Sequence, residues 1–342
     1  MKKTFSILAD KISLWLWACI ILLLTIVVIG GITRLTNSGL SITEWKPFIG
    51  IIPPLTHSNW LLEFKKYQQT PEYNLINFGM SLAEFKSIYL MEYIHRVLAR
   101  LVGFLFLIPL LWFIYKKALT RAEIYTFLVT CSFGIMQAFA GWYMVKSGLI
   151  SKPHVSHFRL SIHLAIAIII ISLLLVIIFA RLKKLPSISK KNFTPLIILQ
   201  LVVFLQIILG SFVAGLDAGM IYNEFPMMGE SFIPDEIAHN SLLTSFSSPA
   251  IVQFMHRIMA YLILIITCYI YYLYNNNVIR EARYVFKILF FIVFLQIILG
   301  ILTLLLHVPI SFAILHQGIG ILLHCVILYL NYSCYKNNQY GS

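Results

Sequence analysis

Long apolar runs separated by shorter polar links recur along the whole sequence. A bilayer's hydrocarbon core is crossed by roughly 20 helical residues, and eight of the runs reach that length. They are predicted at 13–33, 89–115, 123–145, 160–180, 194–216, 250–274, 284–306 and 310–330. The pattern therefore predicts an all-α, polytopic membrane protein with eight transmembrane helices.

The second half of the chain repeats features of the first. Leu205–Gly210 recurs letter for letter as Leu295–Gly300, and Gln137 and Gly141 form a looser copy in the third run. Small residues at this spacing let helices approach closely, which is the simplest account of the glycines. Duplication of this kind commonly places sites in the core of each half or at the interface between halves.

We therefore expect two pseudo-symmetric four-helix bundles. The N-terminal half is assigned to residues 1–190 and the C-terminal half to residues 191–342. Two long loops lie between spans, at about 34–89 and 217–248. Long loops over a membrane site often act as lids or docking surfaces.

Composition and charge agree with a membrane protein. Of 342 residues, 60% are hydrophobic and 11% are charged, which is more apolar surface than a soluble protein of this size can bury. The net charge is +13, but most basic residues lie in the short links, as expected for cytoplasmic anchors rather than a nucleic-acid site. The link 216–248 has no Lys or Arg, so both termini are predicted to be cytoplasmic.

Four histidines occupy equivalent positions in the repeat, because each opens an even-numbered run. They are His95, His163, His256 and His316. Each is expected one to two helical turns below the outer surface. Two imidazoles that face each other across a four-helix core suit the axial positions of a haem iron. A lone membrane histidine is more often a packing residue, but four in register with the repeat favour ligands.

The remaining histidines carry weaker signals. His324 lies deeper on the same run as His316 and is either a core residue or a proton-path group. Four others fall in outer links, where exposure is expected: His154, His157, His239 and His307.

Charged residues flank two of the candidate ligands. Arg96 and Arg257 directly follow histidines, and each either extends to the membrane interface or holds haem propionates. Glu92 is a candidate catalytic carboxylate, and Gln253 holds the equivalent place in the second half. A reactive site and an electron-transfer site would differ in this way. The alternative is that Glu92 is a structural partner for Arg96.

Several strings together make the sequence resemble the haem A synthase family, in its alphaproteobacterial and mitochondrial branch. The similarity covers nearly the whole chain. The strings are Gly30–Ser41, Glu92–Arg96, Gly141–Leu149, Val213–Gly219, Tyr222–Pro226, Gln253–Arg257 and His316-Gln317.

The resemblance implies oxidation of the C8 methyl group of haem O to a formyl group, giving haem A for cytochrome oxidase. It implies a haem b cofactor between His256 and His316, and the substrate haem near His95 and His163, with Glu92 in the chemistry. It also implies a bacterial inner membrane, with haem sites near the periplasmic face. The implied partners are haem O synthase, cytochrome oxidase assembly factors and an unidentified electron-transfer partner, without nucleic acid. A homo-oligomer stays an option.

Two other readings remain open from the residues. A bis-histidine membrane cytochrome would only move electrons, but such proteins often hold haems near both faces, whereas all four histidines here lie near one face. A haem exporter or insertion chaperone would need neither Glu92 nor a stable second haem.

Overall fold

The computed structural model describes residues 2–45, 50–149, 154–182, 185–186, 188, 193–239, 242–275 and 280–340. Eleven α-helices are present in this part of the chain. Their bounds are α1 Lys2–Leu35, α2 His57–Tyr67, α3 Pro71–Leu75, α4 Leu82–Tyr115, α5 Arg121–Gly148, α6 His157–Arg181, α7 Phe193–Gly215, α8 Leu242–Ser245, α9 Pro249–Asn275, α10 Arg280–Leu305 and α11 Ile310–Tyr340. Short 3₁₀ helices cover Ala218–Met220 and Asp235–His239.

Eight of these helices are long and apolar enough to cross a membrane, which confirms the predicted all-α, multi-pass architecture. They are α1, α4, α5, α6, α7, α9, α10 and α11. Part of the basic link between α6 and α7 lies outside the described residues.

Helix α4 begins well before the predicted start of its apolar run, and the cause is a local cap. The Ser81 hydroxyl accepts a hydrogen bond from the backbone N–H of Glu84, and the Glu84 carboxylate accepts one from the Ser81 backbone N–H. Such a capping box satisfies helix-end donors reciprocally and fixes the helix start. Helix α4 therefore extends beyond the predicted apolar run at its N-terminal end.

The first long loop contains folded elements that the hydrophobic pattern did not predict. Helix α2 is capped by the Thr56 hydroxyl, and α3 by the Thr70 hydroxyl with Pro71 in its first turn. Both helices contribute to a small, mainly aromatic core at the N-terminal end of α4. Its buried members are Ile42, Phe64, Tyr67, Tyr73, Phe85 and Tyr89. The loop is thus a packed cap over α4.

The chain divides into two compact units, Met1–Leu174 and Leu175–Ser342. In the second unit, α7, α9, α10 and α11 form a closed ring, because each packs along its two neighbours. Buried aliphatic and aromatic side chains fill the centre of this ring. A closed four-helix ring encloses its core on all sides.

The first unit is packed differently. Helix α1 lies along α4, but within the described residues neither α5 nor α6 runs as closely along another helix. Phe127 on α5 contacts Trp15 and Phe106, with ring centroids 5.4 and 6.0 Å apart. Near the other end, Trp142 meets Trp45 at 6.1 Å. Aromatic contacts near both ends therefore connect α5 to its neighbours.

Candidate functional site

Each of the four predicted ligand histidines lies against a glycine of a neighbouring helix. A Cβ added to any of these glycines would come within 2.9–3.2 Å of the imidazole Cε1, which is closer than real Cβ contacts allow without displacement. The pairs are Gly30 on α1 with His95, Gly141 on α5 with His163, Gly210 on α7 with His256, and Gly300 on α10 with His316. The glycines of the sequence repeat therefore make room for imidazole rings, which goes beyond simple helix packing.

The structure brings the two second-unit histidines together. The ring centroids of His256 and His316 are 6.3 Å apart, with an angle of 71° between the ring planes. A metal bonded to one nitrogen of each ring at about 2 Å would hold the centroids roughly 6 Å apart. The pair thus has the spacing of two axial ligands on one iron.

All four imidazoles share an unsatisfied nitrogen. The Nδ1 atom of each ring is buried and has no hydrogen-bond partner. A buried polar group without a partner is costly, and coordination of a neutral imidazole is one way to remove that cost. Together with the glycine seats and the His256–His316 spacing, these nitrogens fit two haem sites, one in each unit.

Three glutamines that sequence reasoning missed stand beside these rings. Gln137, Gln206 and Gln296 place their side-chain Nε2 3.3, 3.3 and 3.5 Å from the Nε2 of the histidine opposite. Each glutamine precedes the seating glycine by four residues, so both face the same side of the helix. The repeat Gln-x-x-x-Gly was visible in the sequence, but only the fold connects it to the histidines.

The N-terminal part of α4 is tied to the loop that follows α1, and we call this contact the first latch (Ser41, Ile42, Glu44, Glu92 and Arg96). One oxygen of Glu92 accepts from the Ser41 hydroxyl and the Ile42 backbone N–H, both at 2.8 Å. The other accepts from Arg96 at 2.6 and 3.0 Å. Arg96 also donates to the carbonyls of Ile42 and Glu44. Glu92 is only 3% exposed.

A second latch occupies the same place on α9 (Tyr222, Pro226, Met227, Gln253 and Arg257). The Gln253 amide donates to the Tyr222 carbonyl at 3.0 Å. Arg257 donates to the carbonyls of Tyr222 and Met227 at 3.1 and 2.9 Å, and makes longer contacts to Pro226 and Gln253. Both latches thus use a residue pair four apart on the histidine-bearing helix.

The two latches account for the difference between Glu92 and Gln253. The first loop presents donors, the Ile42 N–H and the Ser41 hydroxyl, and a carboxylate accepts both. The second loop presents the Tyr222 carbonyl, which needs the N–H of an amide. The polarity of each loop therefore explains the residue opposite it. This is the structural role considered for Glu92, and a catalytic role requires a further test.

A match to a known family is consistent with this arrangement. The family model COX15-CtaA, described as cytochrome oxidase assembly protein, matches residues 13–328. The chain belongs to this family. The matched range contains all four histidines, their glycines, the three glutamines and both latches.

Relatives of the COX15-CtaA chain are similar over nearly their whole length. A protein named heme A synthase from Wolbachia pipientis subsp. Culex pipiens (strain wPip) is 45% identical over 320 residues, which cover 92% of this chain and 95% of the relative. Another of that name from Rickettsia bellii (strain OSU 85-389) is 44% identical over 343 residues, covering 96% and 99%.

The remaining histidines of this COX15-CtaA member divide by environment. His324 is 5% exposed and lies 2.8 Å from the Gln200 amide through its Nδ1, so it is a core residue. His154 and His307 are exposed as predicted, whereas His157 is half buried at the start of α6 because its ring packs on Phe158. The side chain of His239 lies outside the described part of the structure.

Proposed function

We propose that this chain is a haem A synthase, which oxidises the C8 methyl group of haem O to a formyl group for cytochrome oxidase. The observation that carries the proposal is similarity over nearly the full length to relatives named heme A synthase. The four glycine-seated histidines give that similarity a chemical meaning, since they offer two sites for haem. A simple electron-carrying cytochrome is not favoured by these relatives.

The second unit is proposed to hold haem b as the resident cofactor, with His256 and His316 as its iron ligands. Their 6.3 Å ring separation and the closed ring of α7, α9, α10 and α11 support a permanently enclosed group. When bound, haem b would supply one-electron redox chemistry. The chain's own contribution is to orient both imidazoles through glycine seats and glutamine contacts.

The first unit is proposed to bind haem O as substrate, with His95 and His163 as iron ligands. Support comes from packing: within the described residues α5 and α6, which carry the glycine seat and the ring of the His163 site, lie less closely against other helices than α1 lies against α4. Entry of a substrate haem and release of the product require helices that can move apart, and a closed four-helix ring would resist such movement. The looser packing of the first unit suits exchange of a substrate haem, and the closed ring of the second unit suits retention of a cofactor haem.

The latches position the helices that carry His95 and His256. Arg96 and Arg257 hold loop carbonyls through both of their Nη atoms. The Nε of Arg257 is buried without a hydrogen-bond partner, and we propose it as the donor to a haem propionate. We keep Glu92 as a candidate for proton transfer at the substrate methyl, next to its latch role. In that case one of its two oxygens has to release a latch donor during the reaction.

The proposed location is the bacterial inner membrane, with both termini cytoplasmic and both haem sites near the periplasmic face. The proposed partners are haem O synthase, assembly factors of cytochrome oxidase and an unidentified electron-transfer partner. A homo-oligomer also stays a proposal.

The decisive experiment is conversion. The chain is expressed in a host that makes haem O but lacks this activity, and the extracted haems are separated by chromatography and mass. Haem A in the extract is the expected result. Haem O unchanged, together with full haem b loading, would instead favour the electron-carrying cytochrome.

The cofactor assignment has its own test, which replaces His256 or His316 with Ala. Either change should remove the low-spin haem b spectrum, because one axial ligand is lost, and leave the membrane topology intact. His324→Ala is the matched control, since it removes a buried histidine on α11 that Gln200 holds away from the pair. A full wild-type spectrum in both ligand variants contradicts the assignment.

A further inference from the structure

The C-terminal end of α5 and the N-terminal end of α6 carry two basic residues that lie over aromatic rings. The Nζ of Lys146 is 4.9 Å from the centre of the Trp142 ring, and the Cζ of Arg159 is 4.6 Å from the centre of the Tyr143 ring. We call these four residues the cationic cluster. A cation is attracted only weakly to a ring where water is near, so a carboxylate competes for it effectively.

The cationic cluster lies beside the His163 site. Arg159 is four residues before His163 on α6, and Lys146 is five residues after Gly141, the glycine seat on α5. These separations are about 6 and 7.5 Å along the two helices. The contacts of Gly141 with His163 and of Tyr143 with Arg159 show that the helices run in opposite directions. Both cations are therefore displaced from the His163 ring towards the same end of the site.

The repeat shows that the second half has no counterpart of this cluster. When Gly141 is matched with Gly300 and His163 with His316, the four equivalent positions are all apolar: Ile301, Leu302, Leu305 and Phe312. Aromatic and basic residues that anchor helices at a membrane interface are the simplest account of such a cluster. An anchor of that kind would serve both halves equally, so it does not explain why only the first half has one.

The arginines that follow His95 and His256 show the complementary difference. Each of the three nitrogens of Arg96 already donates a hydrogen bond in the first latch. The Nε of Arg257 is buried without a partner and is the proposed donor to a propionate in the second unit. Arg96 does not offer the first unit an equivalent free nitrogen, which leaves the propionate role there to other cations.

We propose that Lys146 and Arg159 bind the propionate carboxylates of the substrate haem, and that Trp142 and Tyr143 hold the two cations when no haem is bound. A guanidinium matches a carboxylate with paired N–H donors, and the ammonium adds a second positive charge. Transfer of the cations between rings and carboxylates keeps binding reversible, which suits a haem that has to leave as product. This rests on the proposed function, because it takes the first-unit haem to be the substrate.

Haem O dimethyl ester is the discriminating probe, since it keeps the porphyrin and the iron but has no carboxylate. Protein loaded with haem b is titrated with haem O or with the ester, and binding is followed by the absorbance change that His163→Ala lacks. We expect the wild type to prefer haem O. Arg159→Gln should weaken haem O binding by about 10-fold or more and leave ester binding unchanged. Lys146→Gln, at an exposed position, should weaken haem O binding by about 2–5-fold.

Lys116→Gln is the matched control. Lys116 also lies over a tyrosine ring, 5.3 Å from the centre of Tyr115, but at the C-terminal end of α4, away from the cationic cluster. This variant should keep both affinities, and Arg159→Lys, which keeps the charge, should retain most of the preference for haem O.

Two results overturn the proposal: equal binding of haem O and its ester by the wild type, or a full preference for haem O in Arg159→Gln. Equal weakening of both compounds in Arg159→Gln also overturns it, because this result assigns Arg159 to packing. If Arg159→Gln does not fold, Lys146→Gln is judged by the same criteria.

Failure of the proposed function has a different signature. If wild type and His163→Ala give the same titration with haem O, the first unit has no substrate site and this inference falls with it. If haem O binds through His163 and is converted to haem A, but the ester binds equally well, only the inference is wrong.

Discussion

At the scale of single residues, the donors and acceptors that face a side chain explain which residue occupies the position. Glu92 accepts four hydrogen bonds, from Ser41, Ile42 and twice from Arg96. A carboxylate is the only side chain of that size that accepts at both ends. An amide at position 92 would place its N–H groups against one of these donors. An experiment at position 92 therefore has to separate the loss of the negative charge from the loss of hydrogen bonds in the first latch.

Glu92→Gln provides that experiment when it is paired with Ser41→Ala. If Glu92 acts in catalysis, Glu92→Gln should retain haem b yet fail to convert haem O, or stop at the hydroxylated intermediate. Ser41→Ala removes one hydrogen bond to the Glu92 carboxylate, worth about 1.5–3 kcal/mol, and keeps the charge, so it should still make haem A. Haem A at wild-type yield from Glu92→Gln rejects the catalytic role. If Glu92→Gln and Ser41→Ala lose haem A production to the same extent, the effect is due to the hydrogen bonds of the first latch.

Glu72, in α3 outside the membrane spans, supplies a pH dependence. Burial raises its pKa from 4.5 to about 7, the Tyr67 hydroxyl lowers it, and the charge of Glu92 raises it further. The folded loop therefore holds a proton that the unfolded loop loses near pH 4.5. Stability from this group is present at low pH and is lost as pH rises towards 7, by at most about 3 kcal/mol.

We expect limited proteolysis of the loop in detergent to accelerate as pH rises from 5 to about 7, after correction for the protease's own pH profile. Glu72→Gln removes the titrating group and should give a flat response. A wild-type loop whose protection rises with pH would contradict the assignment.

At the scale of elements, glycines set the spacing between helices, because a neighbouring side chain can approach closely only where no Cβ is present. Gly141 on α5 faces His163 at a would-be Cβ distance of 3.0 Å, whereas a Cβ on Gly134 of the same helix meets nothing within 4 Å. In a helix, alanine is more favourable than glycine by about 1 kcal/mol. The two glycines therefore predict opposite outcomes for the same substitution.

Gly141→Ala should displace the His163 ring and lower haem occupancy of the first unit, while the second-unit spectrum is unchanged. Gly134→Ala should leave haem content unchanged and keep or raise the thermal midpoint. Both are read from haem-to-protein ratios and a thermal melt of the purified protein. Equal haem content in the two variants would show that the seat tolerates a methyl group.

At the scale of the whole molecule, duplication has produced two units with the same layout and different packing. The second unit is a ring closed on all sides, whereas within the described part of the first unit α5 and α6 lie less closely against other helices than α1 lies against α4. Half-buried Gln200 and buried His324 also give the second unit a polar pair in its interior. The corresponding places two turns inward on α1 and α6 are taken by Ile20 and Ile171, which are fully buried. The two units thus share a helix arrangement but differ in the polarity of their buried residues.

Membrane orientation is tested at the same scale. A reporter fused after Ser342, which lies outside the described residues, should read as cytoplasmic, and one inserted near Pro54 as external. The reason is the excess of Lys and Arg in the links assigned to the cytoplasm. The opposite pattern would overturn the topology and the placement of the haem sites near the outer face.

The sequence alone determined the eight spans, because the bilayer requires about 20 apolar residues for each and little else in a chain imitates that signal. It also placed the four histidines in register, since a repeat copies positions. Resemblance in several strings was enough to predict the family, and the full-length match confirmed it.

Tertiary structure decided what those positions touch. The contact of Gly300 with His316, and the polarity that Ile42 and Tyr222 present to α4 and α9, depend on loops and helices distant in sequence. The folded cap of α2 and α3 was missed because its short helices are stabilised by capping and by packing on α4 rather than by a long apolar run. Hydrophobic periodicity reports which face is buried, but the partner on that face is fixed only when the chain folds.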